Sequence, residues 1–495
     1  MNISNDISRV QAKTTFSVFA VTIVASCWLA MALESFFPLA IPAAMVILYL
    51  SMVDIKSVFF LLLACIPISA EIELPNGFST DIPTEPLTIG LMLIYLVYAL
   101  KNGMVLKGKG FIRHPITLLL LLHLSWIFVT TLNSESLFFS VKYFIAKIWY
   151  VTTFYFLAAL MLQTKRDFKR FFWCIFTPLS IAVIITIYRH AAYSFSFEDV
   201  NKVMYPMFRN HVSYGCIMAV FLPYIILGRS WQNRFGLKWW MLTSAIILFL
   251  IAIQFSYTRA AYGAIIGAAG YYFIVKFRLT KVVIGISIIG IIGFVAYIVN
   301  QNKYLDYAPK YEKTITHKNF DNLLEATAKG EDISTMERVY RWVAGFRMVA
   351  EKPVMGFGPN NFYNFYKTYT VTHFKTYVSD NKEGSTVHCY YLLTAVEQGI
   401  PGALIFFALV FFVLLKGEQV YHRSEGFRQE MAMATLLSFV ILLLLILIND
   451  LIETDKFGSF FFMSLALIAS LDSASLHPTE EVPTLTTESN FRDRM

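Results

Sequence analysis

Three basic side chains lie beside long apolar runs and have the chemistry to bind an anion and accept a proton. Arg259 lies in "FSYTRAAYGAIIGAA", Arg338 in "STMERVYRW" and His388 in "GSTVHCYYLL". An arginine fork matches the oxygens of phosphate, and the pKa of histidine lies near neutrality, which suits a proton acceptor. Each residue also has a simpler explanation, because Arg259 can extend to lipid phosphates and an isolated histidine is more often structural.

The stretch around Arg338 predicts a helix that presents two arginines. Ser334 and Glu337 fit a capping box, and Arg338 and Arg341 then share one face near the helix start. Two guanidiniums beside free backbone N–H groups suit a phosphate. A surface helix whose arginines pair with neighbouring carboxylates such as Glu337 is the alternative.

The composition of the chain indicates a membrane protein. Of its 495 residues, 57% are hydrophobic and only 15% are charged, and the mean hydropathy is +0.58. A soluble protein carries about 25% charged residues. The net charge of +8 does not require nucleic acid, because basic residues collect on cytoplasmic loops. The five cysteines fit no disulfide or zinc framework.

A transmembrane helix needs about 20 apolar residues. This length criterion predicts an all-α polytopic protein with about 12–14 transmembrane helices. Lysine and arginine alternate between the short loops so that the N- and C-termini are expected in the cytoplasm. Arg259, Arg338 and His388 then share the outer face with one large helical loop. The fourteen apolar runs are 14–33, 37–53, 56–71, 84–100, 115–132, 141–162, 171–190, 211–228, 239–255, 260–276, 281–299, 390–415, 430–449 and 457–472.

Four stretches in this order resemble the O-antigen ligase and polymerase superfamily of bacterial membrane glycosyltransferases. They are "TRAAYGA", "RVYRW", "PVMGFGPNNF" and "HCYYLLTAVEQGIPG". The resemblance covers about residues 205–420, and Cys389 departs from it where the family often has asparagine. It implies a GT-C-like fold with N-terminal helices over 1–204, a core over 205–420 that includes a periplasmic loop at 301–389, C-terminal helices over 421–472 and a disordered tail at 473–495.

The resemblance also implies an inner-membrane enzyme that moves a glycan from an undecaprenyl-diphosphate carrier to an acceptor hydroxyl, on lipid A core or another glycan, at the periplasmic face. Arg259 and Arg338 would stabilise the leaving diphosphate, and His388 would take the acceptor's proton in an inverting displacement. No cofactor or metal is expected, since the outer loops lack a carboxylate cluster. Substrate binding is assigned to Arg341, Asn210, His211 and Lys147.

Several functions stay open at this point. Ligase, polymerase and protein O-oligosaccharyltransferase would share the arginines and the histidine. A polysaccharide transporter or flippase is the alternative of another class, and Lys142 and Lys147 are the residues most compatible with a conduit. Transporters place ionisable residues near the bilayer midplane, whereas here they gather at one face, and this favours the enzyme.

Overall fold

The structure, a computed structural model, describes residues 3–34, 37–73, 79–102, 108–300, 333–371, 379–381 and 384–476. These parts of the chain are almost entirely helical, which confirms the all-α prediction. The helices are α1 Ile3–Ala32, α2 Ala40–Val53, α3 Ile55–Cys65, α4 Thr84–Asn102, α5 Gly108–Ile112, α6 Pro115–Leu132, α7 Leu137–Tyr150, α8 Ala158–Met161, α9 Lys165–Ala191, α10 His211–Ser230, α11 Leu237–Phe255, α12 Arg259–Lys276, α13 Thr280–Val299, α14 Ile333–Glu351, α15 Phe362–Phe365, α16 Tyr390–Arg423, α17 Gly426–Leu445 and α18 Asp455–Leu476.

Within the described residues, nine helices are long and apolar enough to cross a membrane, and four shorter apolar helices accompany them near the N-terminus. A π-helical stretch, Val151–Leu157, joins α7 and α8 into one of the nine. Together with α12, these helices cover all fourteen apolar runs predicted from the sequence. The protein is therefore a polytopic membrane protein. The polar tail beyond α18 lies outside the described residues.

The ends of the helices separate onto two faces of the bundle. On one face, His422 Nε2 lies 2.8 Å from the carbonyl oxygen of Val275, and the backbone N–H of Thr280 donates to Glu418 over 3.1 Å. The other ends of α12 and α16 carry Arg259 and the turn containing His388. We call this second side the His388 face, and it places both predicted catalytic groups at the same side of the bundle.

A small hairpin covers part of the His388 face, where the sequence predicted the end of a helix. Strands β1 Ala70–Glu73 and β2 Ser79–Ile82 pair antiparallel. The hairpin is tied to the start of α18, because Ser69 Oγ and Thr84 Oγ1 both donate to the buried Asp455 carboxylate, over 2.5 and 2.8 Å. Residues 446–456, which connect α17 to α18 and include the first two residues of α18, therefore contact the N-terminal part of the chain.

The helices that flank this connecting segment form the centre of the bundle. In α18, 89% of the apolar window is buried inside the protein, against 6% in α13. The high burial of α18 fixes its first residues in place. The low burial of α13 leaves its apolar surface to the lipid, as expected of a helix that is hydrophobic all round and lies at the edge of a membrane protein.

Candidate active site

His388 lies in a tight turn just before α16, and it is half-buried. Its backbone adopts φ +52°, a left-handed conformation that is uncommon outside glycine. The next residue but one is fixed to the end of α17, since the Tyr390 N–H donates to the carbonyl oxygen of Ile446 over 2.9 Å. His388 Nδ1 is buried and has no hydrogen-bond partner among the residues that the structure describes.

The two arginines of α14 approach this turn from one side. Arg341 is buried and donates to the carbonyl oxygen of Thr386 over 3.2 Å. Arg338 Nε donates to the carbonyl oxygen of Ile448, just beyond α17, over 3.4 Å. Helix α14 of the large loop therefore contacts the turn that carries His388 at Thr386, and it contacts the chain just beyond α17 at Ile448.

Arg341 also has an acidic partner, Glu337. This is the pairing that the alternative interpretation of the helix expected. Arg341 Nη2 lies 3.3 Å from Glu337 Oε2, and Ser379 Oγ donates to Glu337 Oε1 over 2.5 Å. The described part of α14 begins at Ile333, in agreement with the predicted start of a helix here, and the capping box itself stays a prediction. Arg341 also has a buried Nε that has no hydrogen-bond partner among the described residues.

Burial and the two arginines together set the protonation state of the histidine. The pKa of His388 is lowered to about 3, first by burial and then by the positive charges of Arg341 and Arg338. Removing a charged imidazolium from water and placing it beside two guanidiniums both disfavour the protonated form. At neutral pH His388 is therefore neutral and has a lone pair available to accept a proton.

The "PVMGFGPNNF" motif is the structural support of this corner. The backbone N–H groups of Phe357 and Gly358 donate to the carbonyl oxygens of Val396 and Glu397 over 3.0 and 2.9 Å, and that of Ile400 donates to Pro353 over 2.8 Å. These bonds form where α16 is broken by Gly399, which has φ +71°. The motif therefore docks on the broken helix by main-chain pairing.

Glu397 reinforces that docking. Its carboxylate accepts the backbone N–H of Phe362 over 3.1 Å, and Glu397 is buried. Next to it, the carbonyl oxygen of Gln398 accepts the indole N–H of Trp126 in α6 over 2.8 Å. Glu397 and Gln398 therefore join the motif, α16 and α6 at this point.

Arg259 is the first residue of α12, directly after a turn that α10 supports. Tyr257 in this turn adopts φ +54°. His211 Nδ1 lies 2.8 Å from the carbonyl oxygen of Ser256, and Thr258 Oγ1 donates to the carbonyl oxygen of His211 over 3.0 Å. His211 thus fixes the turn that presents Arg259.

Asn210 has a local structural role as well. Its side chain is the N-cap of α10 and accepts the backbone N–H of Ser213 over 2.9 Å. The start of α10 is therefore well defined where it meets the Arg259 turn. Substrate binding by Asn210 and His211 stays a prediction. Of the two, His211 contacts the turn that carries Arg259.

Arg259 and Arg338 lie on the same side of the bundle as the end of α17. Helix α12 packs along α17 so closely that a Cβ on Gly267 would collide with Leu444. Gly267 is eight residues after Arg259, about 12 Å along a helix, so the first two turns of α12 extend past the end of α17. Arg338 reaches the same end through Ile448. A shared diphosphate between the two arginines stays a prediction.

Lys147 is buried and has protein partners. Its Nζ lies 2.9 Å from Glu453 Oε1, and Tyr143 donates to the same oxygen over 3.1 Å. The ammonium also lies 4.9 Å from the centre of the Tyr143 ring. A small cavity next to it is lined by Lys147, His123, Tyr390 and Phe462, among others. The predicted role of Lys147 in substrate binding would require this residue to act alongside Glu453.

The connecting segment 446–456 is the part of the site that sequence reasoning missed. Its backbone carbonyls accept from Tyr390 and Arg338, its Asp450 accepts from Thr386, and its Glu453 binds Lys147. The available signal was four ionisable residues, "NDLIETDK", between two apolar runs. An ionisable group at a membrane boundary has a functional or pairing role by default.

Taken together, these contacts define a polytopic membrane protein with a neutral histidine and several guanidiniums at one end of its helices. Residues 244–407 match the family model described as O-antigen ligase. This part of the chain is therefore similar to the O-antigen ligase family, in agreement with the resemblance of the sequence. The matched range includes Arg259, Arg338, Arg341 and His388. No curated protein matches the chain.

Proposed function

We propose that the protein is a membrane glycosyltransferase that moves a glycan from a polyprenyl-diphosphate carrier to an acceptor hydroxyl at the periplasmic face of the inner membrane. The observation that carries the proposal is the neutral His388 held beside two cationic side chains of α14. A base and fixed positive charges in one corner suit a displacement in which the leaving group is an anion. The match to the O-antigen ligase family supports this class of reaction.

In the proposed reaction the acceptor oxygen attacks the anomeric carbon of the donor sugar. The bond between that carbon and the diphosphate breaks, and the diphosphate leaves with the electron pair. The hydroxyl proton passes to His388. Because the attack and the departure are on opposite sides of the carbon, a single displacement inverts the configuration. Arg259 and Arg338 stabilise the charge that grows on the diphosphate.

Binding of the donor also prepares His388 for its role. A pKa of about 3 makes the free enzyme's histidine a weak base, and a general base works best with a pKa near the operating pH. A diphosphate placed against the arginines neutralises their charge, which raises the pKa of His388 towards its usual value. The base therefore becomes stronger when the donor is in place.

The same residues support a reaction without a metal ion. Among the described residues there is no group of three or more histidine, cysteine, aspartate or glutamate side chains placed to hold a metal. Arg338 and Arg341 supply positive charge beside the turn that carries His388. Lys147, one of the two residues considered compatible with a conduit, is paired with Glu453 over 2.9 Å.

The acceptor separates the candidate activities within the family, and a deletion strain tests it. We favour a ligase-like activity, with lipid A core as the acceptor and undecaprenyl diphosphate as the carrier. Loss of long chains from an otherwise normal lipid A core would identify the ligase. Chains of a single repeat would identify a polymerase, and loss of glycan from proteins would identify a protein O-oligosaccharyltransferase. A carrier-linked glycan that accumulates on the cytoplasmic side would instead indicate a flippase and overturn the proposal.

A further inference from the structure

The position of His388 depends on contacts outside its own turn. Its backbone has φ +52°, which a residue with a Cβ adopts rarely and keeps only where the surroundings impose it. The next residue, Cys389, returns to an extended conformation before α16 begins at Tyr390. The direction of the imidazole therefore depends on the contacts that fix residues 386 and 387.

Thr386 is the residue at which these contacts meet. Its hydroxyl donates to Asp450 Oδ2 in the connecting segment over 2.8 Å. The hydroxyl oxygen of Thr386 accepts the backbone N–H of His388 over 3.4 Å. Its carbonyl oxygen accepts Arg341 Nη1 over 3.2 Å. One threonine thus links the histidine to α14 on one side and to the end of α17 on the other.

We propose that Thr386 and Asp450 are positioning residues for His388, a role that rests on the proposed function. Asp450 fixes the Thr386 hydroxyl, and the hydroxyl in turn fixes the His388 backbone in its left-handed conformation. Neither residue exchanges a proton with the substrates. Their effect is on the rate of the chemical step, because a displacement of about 1 Å in a reacting group can cost about 100-fold in rate.

A purely structural role makes a different prediction, and the chain offers variants that separate the two. Thr386→Val keeps the shape and removes the hydroxyl, Thr386→Ser restores the hydroxyl, and Asp450→Ala removes its acceptor. Thr370→Val is the matched control, because the Thr370 hydroxyl donates to the Lys367 carbonyl oxygen over 2.7 Å in the same loop. That bond is not connected to His388 by any contact described above.

The experiment measures kcat and KM for transfer from a purified polyprenyl-diphosphate glycan, with thermal unfolding of each variant. We expect Thr386→Val and Asp450→Ala to lower kcat by about 10- to 100-fold, with KM for the donor within about two-fold of the wild type. Thr386→Ser should recover most of the rate. The double variant should be no slower than the worse single variant, because both changes remove one linkage.

Three results would overturn the proposal. They are a kcat for Thr386→Val as high as that of Thr370→Val, multiplied losses in the double variant, or no recovery in Thr386→Ser. If Thr386→Val and Asp450→Ala both fail to fold while His388→Ala folds, the linkage serves folding and the proposal is also wrong. Failure of the proposed function is distinguishable, since the wild type itself would then transfer no glycan from this donor.

Discussion

Arg341 donates to the carbonyl oxygen of Thr386 over 3.2 Å, so a helix of the large loop is joined to the turn that carries His388. The same guanidinium pairs with Glu337, which Ser379 holds from a third stretch of the loop. A buried charge without a partner would be expensive, and these contacts supply the partners. The loop helix and the histidine turn therefore form one unit, and changes in α14 should be felt at His388.

The low pKa of His388 predicts an unusual pH profile. The free enzyme should keep its histidine neutral down to about pH 4, because the pKa lies at about 3. We therefore expect kcat/KM to stay flat from about pH 5 to pH 8. In Arg338→Ala one positive charge is lost, the pKa of His388 rises, and the acid limb of the residual activity moves to higher pH.

The matched control for this profile is Arg347→Ala. Arg347 is an exposed arginine of the same helix that donates to the Tyr369 carbonyl oxygen. It should leave the acid limb unchanged. A wild-type limb near pH 6.5, the ordinary pKa of histidine, would contradict the arrangement of His388 among Arg341, Arg338 and the Asp450-linked Thr386.

Chelation tests the role given to arginine. Saturating EDTA should leave the turnover of purified protein unchanged, because the charge on the departing diphosphate is neutralised by guanidiniums. The measurement is the transfer rate before and after chelation and after re-addition of Mg²⁺ or Mn²⁺. Activity that disappears and is restored by either ion would show that a metal, and not Arg259 and Arg338, stabilises the leaving group.

Two glycines test the docking of the "PVMGFGPNNF" motif on α16. Gly356 and Gly384 both have φ +65°, but a Cβ on Gly356 would collide with the backbone of Glu397 whereas one on Gly384 meets nothing within 4 Å. Gly384→Ala should lower the free energy of unfolding by about 1 kcal/mol, from backbone strain alone. Gly356→Ala should cost clearly more, since it adds the collision. Equal shifts in thermal unfolding would mean that the motif does not need this close approach.

A double-mutant cycle tests the shared diphosphate. Arg259→Ala and Arg338→Ala should each slow transfer strongly, and their combination should lose much less than the product of the two effects. The reason is that either change would disrupt the same interaction with the leaving group. Independent, multiplied losses would mean that the two arginines bind different parts of the substrates.

The sequence predicted the helices well, because apolar length and the alternation of basic loops are local signals. The sequence also predicted that Arg338 and His388 lie on the same face, from the order and orientation of the membrane-spanning helices alone. It did not predict that Lys147 is paired with Glu453, since the two lie 306 positions apart and no local pattern links them. Nor did it predict the left-handed turn at His388, which is held by Thr386, Asp450 and Ile446.

The contact between Glu337 and Ser379 was not predicted for a related reason. Ser379 lies 42 positions along the chain from Glu337, and no local pattern links the two residues. The role of the connecting segment 446–456 was not predicted, because it depends on tertiary contacts with Tyr390, Arg338, Thr386 and Lys147. The residues of the segment form no motif of their own.

The most direct test of the account is the transfer rate of purified His388→Ala protein with a polyprenyl-diphosphate glycan donor and its acceptor. Removal of a general base costs about 10²–10⁴-fold in rate, so we expect a loss of that size. Donor binding should stay close to that of the wild type, because the arginines are untouched. A rate within a few-fold of the wild type, in a variant that is folded and binds donor, would contradict the account and leave His388 with a structural role.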